Sequence, residues 1–227
     1  MSNILDNPIY YALNSGNRAF ASGTEEIAYF QEDVAPFAGL VDYTQASFDL
    51  LYESSAPEST FVIFTPIALK IPNRWDLIGQ IDMFQMLYEP SMQSPMVDYK
   101  FNNLNRVHVD EMVELIKLTQ PGPFRTNTIA LGNYTGIFKD EKLVSMAGQR
   151  LNPIPYVEIS AVCTHPNHLG KGYAHSLLRE QVRRILEKSQ VPFLHVRNDN
   201  SAAVKLYQKL GFKIRTGMIA SVLKKID

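Results

Sequence analysis

Two glycines one residue apart, Gly170 and Gly172 in the stretch HPNHLGKGYA, stand between a β-like run and a helix-like one. That spacing suits an anion. Glycine lets the backbone approach a ligand closely, and the first turn of a helix offers unpaired N–H groups at the positive end of its dipole. A phosphate-bearing ligand is the natural guest. The Walker pattern is absent, because no Gly-Lys-Ser/Thr ends the stretch, and the dinucleotide fingerprint lacks a third glycine and an acidic residue ~20 positions on. A tight strand-to-helix turn without a ligand is the plain alternative.

Other residues invite chemistry less strongly. Strand alternation over Tyr156 to Thr164 puts Glu158, Ser160, Val162 and Thr164 on one face and Val157, Ile159, Ala161 and Cys163 on the other. Near Ser201 to Leu210, helical periodicity lines up Asn200, Ala203 and Tyr207 on one side. His165 and His168, with His175 beyond, lack the cysteine or carboxylate that would complete a zinc set, so no metal is expected. His195, inside a strand, reads as a structural histidine. Cys163 has no Cys-His-Asp company, which argues against an acyl-cysteine route. Arg125 in GPFRTN and Arg150 beside the strand are candidates to clamp an acceptor's carboxylate.

These residues need elements to hold them. The pattern predicts a helix over Val109 to Leu118, stopped by Pro121-Gly122-Pro123, then strands over Tyr134 to Phe138 and Leu143 to Leu151 joined by the polar turn Lys139 to Lys142. A third strand, Tyr156 to Thr164, leads through the glycine turn into an amphipathic helix over Lys171 to Lys188. Its apolar face carries Ala174, Leu178, Val182 and Ile185. The strand Phe193 to Val196, the helix ending at Gly211 and a last strand near Met218 to Leu223 complete a β-β-β-α-β-α-β order. Earlier in the chain the pattern gives a helix at Gln45 to Tyr52 and strands at Phe61 to Thr65 and Met83 to Tyr88. Pro90 to Pro95 reads as a break, dividing the chain into 1–95 and 96–227.

Composition narrows the partners. With 22 basic against 23 acidic residues and no block of like charge, neither nucleic acid nor a membrane surface is indicated, so a small molecule is the expected partner. The run FVIFTPIAL is too short to span a bilayer, and the first residues lack the features of a secretory signal. One cysteine excludes an internal disulfide and fits a reducing compartment, so a cytoplasmic location is expected. The oligomeric state is left open.

HPNHLGKGYA resembles the acyl-CoA signature of the GNAT superfamily of N-acetyltransferases, Gln/Arg-x-x-Gly-x-Gly/Ala. The downstream NDNSAAVKLYQKLGF resembles its second signature through Asn200, Ala203, Tyr207, Gly211 and Phe212. VEISAVCTHP and LHV resemble the FR47-like branch, related to glycine N-acyltransferases, and the likeness spans roughly Asp98 to Asp227. It implies an α/β fold with a mixed central sheet flanked by helices, and an N-terminal domain that is either a degenerate copy or a cap. It implies acetyl-CoA as acyl donor and a small amine or amino-acid-like acceptor, joined by direct transfer in a ternary complex. Leu169, Gly170, Lys171, Gly172, Tyr173 and Ala174 would hold the pyrophosphate, with Leu169 standing where the family has Gln or Arg and Lys171 placed to supply charge instead. The backbone of Val162, Cys163 and Thr164 would flank the pantetheine arm where this strand splays from the next, with Asn200 and Ala203 on the cofactor side. The resemblance makes Tyr207 the general acid for the thiolate and Glu158, eleven residues before Leu169, the general base. A non-catalytic acyl-CoA-binding module, or an enzyme using a longer acyl-CoA, remains as an alternative.

Overall fold

The computed structural model describes residues 3–89 and 99–226. The chain opens with α1 (Pro8–Leu13), followed by a small antiparallel sheet of β1 (Ala21–Gly23), β2 (Ile27–Phe30) and β3 (Ala38–Leu40). Then come α2 (Gln45–Ser54), β4 (Thr60–Thr65), β5 (Trp75–Tyr88), β6 (Asn102–Asn103) and α3 (Val109–Thr119). The remainder is β7 (Thr135–Lys139), β8 (Lys142–Gln149), β9 (Tyr156–Thr164), α4 (Tyr173–Leu186), β10 (Val191–Arg197), α5 (Ser201–Lys209) and β11 (Phe212–Lys225). Eight strands form the main sheet in the order β4-β11-β5-β10-β9-β8-β7-β6. Among the described residues only the β9–β10 pair of this sheet is parallel, so the sheet is mixed, with helices on both faces.

Local chemistry explains the elements around the site. Asp140 and Glu141 both take positive φ, as a two-residue I′-type turn requires, and this closes the β7–β8 hairpin. Asp110 and Glu111 sit in the first turn of α3, where the helix dipole favours negative charge, and the helix ends with Gln120 in the left-handed region just before Pro121. On α4, Leu177, Leu178, Val182 and Ile185 are buried at helical spacing. Ala174, expected on that face, is only half-buried, and Tyr173 and Gln181 are buried beside it.

The two faces of the sheet carry different cores. Leu143, Met146 and Cys163 pack under α3 with Met112, Leu115 and Ile116. Val144 and Ala147 lie on the opposite face with Leu177 of α4, and Val157, Ile159 and Leu194 meet Leu178, Val182 and Tyr207 there. The N-terminal segment covers another part of the sheet. Leu5, Ile9, Phe30 and Phe37 pack on Phe64, Met83, Phe193 and Met218.

Two expectations about extent are corrected. β5 begins at Trp75, well before Met83, and β11 starts at Phe212, directly after Gly211. The two strands pair with each other along almost their whole length. The expected division near residue 95 falls, with the Pro90–Pro95 break, outside the described residues. On either side of it, β4 and β5 share one sheet with β10 and β11.

Candidate functional site

The glycine turn has the geometry that the sequence suggested. Gly170 and Gly172 have φ of 74° and 76°, in the left-handed region that a side chain resists, and Gly172 is the N-cap of α4 with no side-chain cap bond. A Cβ on Gly170 would meet nothing within 4 Å, so its positive φ, and not crowding within the protein, accounts for the glycine. The first N–H groups of α4 therefore have no side-chain cap. Leu169 is 64% exposed. Lys171 Nζ lies 3.4 Å from His168 Nδ1, and the Tyr99 hydroxyl donates to the Lys171 carbonyl at 2.7 Å. Tyr173 is buried, edge-on to Tyr99. His165 caps the short turn before the glycines by accepting the Asn167 N–H, so it is engaged locally. Among the described residues no group of three or more His, Cys, Asp or Glu is arranged to hold a metal ion.

The sheet itself opens beside this turn. β10 pairs with β9 only at Val191–Tyr156, Pro192–Val157 and Phe193–Glu158. Beyond that point β10 continues against β5 while β9 runs on to Thr164 against β8. One backbone edge of β9, from Ile159 onward, thus has no strand partner among the described residues. Such an edge can take an extended ligand as an added strand.

A β-bulge sharpens the geometry there. Met146 faces Cys163 while Gly148 faces Ser160, so β9 carries one extra residue in that span, and Ala161 has φ of 52°. Unbroken alternation was the expectation, and the bulge overturns it. Ser160 and Ala161 both line one recess, while Val162 switches to the α4 face and Cys163 lies under α3. Burial pushes the Cys163 thiol up to about 11, which leaves it protonated and inert. The Thr164 hydroxyl meets that of Ser145 at 2.8 Å.

Tyr207 stands on the α4 side of the opening. It is 8% exposed and shares a cluster with Val162, Val196 and Ala203. Burial pushes its phenol up to about 12. Among the described residues its hydroxyl has no hydrogen-bond partner. Asn200 has a structural task, because its side chain accepts the Ala203 N–H at 3.1 Å and caps α5.

Glu158 is placed where it cannot do the work expected of a base. It is 1% exposed, and Arg150 donates to both of its oxygens, Nε to Oε2 at 2.8 Å and Nη2 to Oε1 at 2.6 Å. His195 Nδ1 lies 2.7 Å from Oε1. Burial alone would raise the carboxyl. The Arg150 charge and hydrogen bonds, followed by the hydrogen bond from His195, outweigh it and bring the value down from 4.5 to about 2. A carboxylate that acidic, with both oxygens occupied, does not take a proton from an amine. The chain of polar contacts continues inward. His195 Nε2 lies 3.0 Å from Gln85 Nε2, Gln85 Oε1 accepts from Arg215 Nε, and Arg215 pairs with Asp6.

Arg150 also lines a recess on this face, with Phe124, Tyr134, Ser160 and Ala161 among the walls. Arg125 is engaged elsewhere, donating to the Glu32 carbonyl at 2.7 Å.

The FR47-like protein family matches residues 134–219, which span β7 to β11 and hence the bulge, the opening, the glycine turn and Tyr207. A solved structure from Novosphingobium aromaticivorans, assigned to acetyltransferases of the GNAT family, is similar over 100% of both chains at 26% identity and a TM-score of 0.90. Residues 134–219 thus carry the FR47-like match, and the whole chain is similar to a structure of the GNAT family. At the level of fold alone, a GCN5-related N-acetyltransferase from Kribbella flavida aligns over 96% of both chains with 10% identity and a TM-score of 0.63. A Drosophila protein has the same TM-score at 12% identity, over 88% of this chain and 73% of its own. No curated protein matches the chain.

The structure thus gathers the glycine turn, the free edge of β9 and Tyr207 around one opening in the sheet. It removes Glu158 to a buried ion pair and gives Asn200 to a helix cap. Sequence reasoning missed the recess walls contributed by Tyr134, Ser160 and Ala161. Gly122 and Phe124, in the GPFRTN stretch that carries Arg125, line the recess as well.

Proposed function

We propose that this chain transfers the acetyl group of acetyl-CoA to the amine of a small or amino-acid-like acceptor, directly and in a ternary complex. One observation carries the reading. The sheet opens after Glu158 at a bulged strand that leads straight to an uncapped helix N-terminus with two left-handed glycines.

Each part then has a task. The N–H groups from Gly170 to Ala174 hold the pyrophosphate, and the free edge of β9 through Val162, Cys163 and Thr164 bonds the amides of the pantetheine arm. A backbone N–H at the bulge polarises the thioester carbonyl. The acceptor enters by the recess as the neutral amine, a C–N bond forms and the C–S bond breaks. Tyr207 donates to the leaving sulfur and regains its proton from solvent, and the amine proton passes to solvent, since among the described residues no carboxylate base is free beside Ala161. Cys163, buried and protonated, takes no part. No helix among the described residues is long and apolar enough to cross a membrane, and we place this chemistry in the cytoplasm.

A rival reading keeps binding and drops transfer, and the exposed apolar Leu169 favours it, since the family places a polar side chain there. Release of the CoA thiol from acetyl-CoA, followed with a panel of primary amines, separates the two. The enzyme releases thiol in proportion to amine and forms the N-acetyl product. A binding module releases none with any amine, and repeating the panel with longer acyl-CoAs identifies a different donor.

A further inference from the structure

We infer that Arg150 makes the recess selective for amines bearing a neutral carbonyl, as in an amino-acid amide or the first residue of a peptide, over amines bearing a free carboxylate. The inference rests on the proposed acetyl transfer and names its acceptor class. Arg150 lines the recess with its side chain only 10% exposed. Its Nε and Nη2 are committed to Glu158, and among the described residues Nη1 makes no hydrogen bond. The guanidinium carbon lies 4.7 Å from the Phe37 ring centroid and 5.6 Å from that of Phe64, so aromatic rings shield it from water. What remains for a ligand is the pair of N–H donors on Nη1, and they call for an oxygen.

Charge decides which oxygen. Glu158 already neutralises Arg150 at hydrogen-bond distance, with its carboxylate 1% exposed. His195 adds no positive charge. Gln85 Nε2 also donates to the Leu5 carbonyl while Gln85 Oε1 accepts from Arg215, which fixes the amide orientation. Gln85 Nε2 therefore donates to His195 Nε2 as well, leaving the imidazole proton on Nδ1 towards Glu158 and the ring neutral. Beyond it, Arg215 is balanced by Asp6. An acceptor carboxylate on Nη1 would thus be a second anion against one cation in a poorly solvated site, whereas a carbonyl oxygen satisfies the same donors without adding charge. The carboxylate clamp considered from the sequence is already filled by the protein's own glutamate.

The test compares amino acids with their primary amides, in pairs of differing side chain, as acceptors for acetyl-CoA. Each kcat/KM is expressed per unprotonated amine. Wild type should favour the amide by at least about tenfold, the loss expected when a charged group is desolvated without a counter-charge. In Arg150→Met/Glu158→Leu, where an apolar pair replaces the ion pair so that neither charge is stranded, that preference should fall to about twofold or less. Arg150→Lys, which keeps the charge but not the fork, should lose most of it too. Equal use of both acceptors by wild type, a preference for the free acid, or an amide preference intact in the double variant would each overturn the inference while leaving acetyl transfer standing. Absence of thiol release with every amine would instead sink the transfer reading and this inference with it.

Discussion

Tyr207→Phe lowers kcat for acetyl transfer by about 10²-fold or more while leaving acetyl-CoA affinity and folding stability nearly unchanged. The thiolate that leaves the thioester needs a donor, and Tyr207 is the hydroxyl packed beside Val162 and Val196 at the opening of the sheet. With its phenol pushed up to about 12, the side chain keeps its proton throughout the working range. The deficit should therefore be the same at every pH from mildly acidic to mildly alkaline. Stability should hold because the ring, 6.2 Å from that of Phe212, stays in its cluster, and the hydroxyl that is removed has no protein partner among the described residues. A pH series of single-turnover rates and a denaturant titration of the same variant check both statements. Transfer as fast as wild type at every pH would mean that Tyr207 is only a packing residue.

Glu158→Ala destabilises the fold by about 3–5 kcal/mol, because it strands Arg150 with no other anionic partner among the described residues and removes a partner of His195. The same carboxylate makes the protein sensitive to acid. Its folded value, about 2, lies below the ordinary 4.5, so its contribution is fully present above the unfolded value and disappears as pH falls from the one towards the other. The difference corresponds to on the order of 3 kcal/mol. In Glu158→Gln that part of the acid-dependent loss should vanish, with a lower plateau of stability at neutral pH. Activity adds a separate readout. If Glu158 only positions Arg150, Glu158→Gln changes kcat/KM without changing how the rate climbs towards the amine's own pKa. A pH-rate limb that disappears in this variant would restore Glu158 as the base. Urea titrations across an acidic series and pH-rate profiles measure the two effects independently.

Much of the catalytic half could be read from local pattern. The strand Tyr156 to Thr164 was placed with its observed bounds, and α3 and α4 lie within a few residues of expectation, because each buries one face and so leaves a periodic trace. The glycine turn was legible because positive φ has a residue type attached to it. Ala161 has no such marker. It takes a left-handed φ within a run that alternates smoothly, so nothing in ISAVCT announces the bulge that moves Val162 across the sheet. The early part of β5 was missed for the opposite reason. Asp76 to Asp82 extends past the end of β10 and is exposed or half-buried throughout, so no alternation of burial is written into it. The Arg150–Glu158 pair shows the limit for chemistry. Read singly, each residue looks like a surface charge or a catalyst, and only the folded chain reveals that they spend their charges on each other.

The central claim is that the Gly170–Gly172 turn and the opening of the sheet hold acetyl-CoA. Calorimetric titration of the protein with acetyl-CoA tests it without any assumption about the acceptor. The account predicts saturable binding to one site per chain despite Leu169. Absence of binding to acetyl-CoA at millimolar concentration would contradict it.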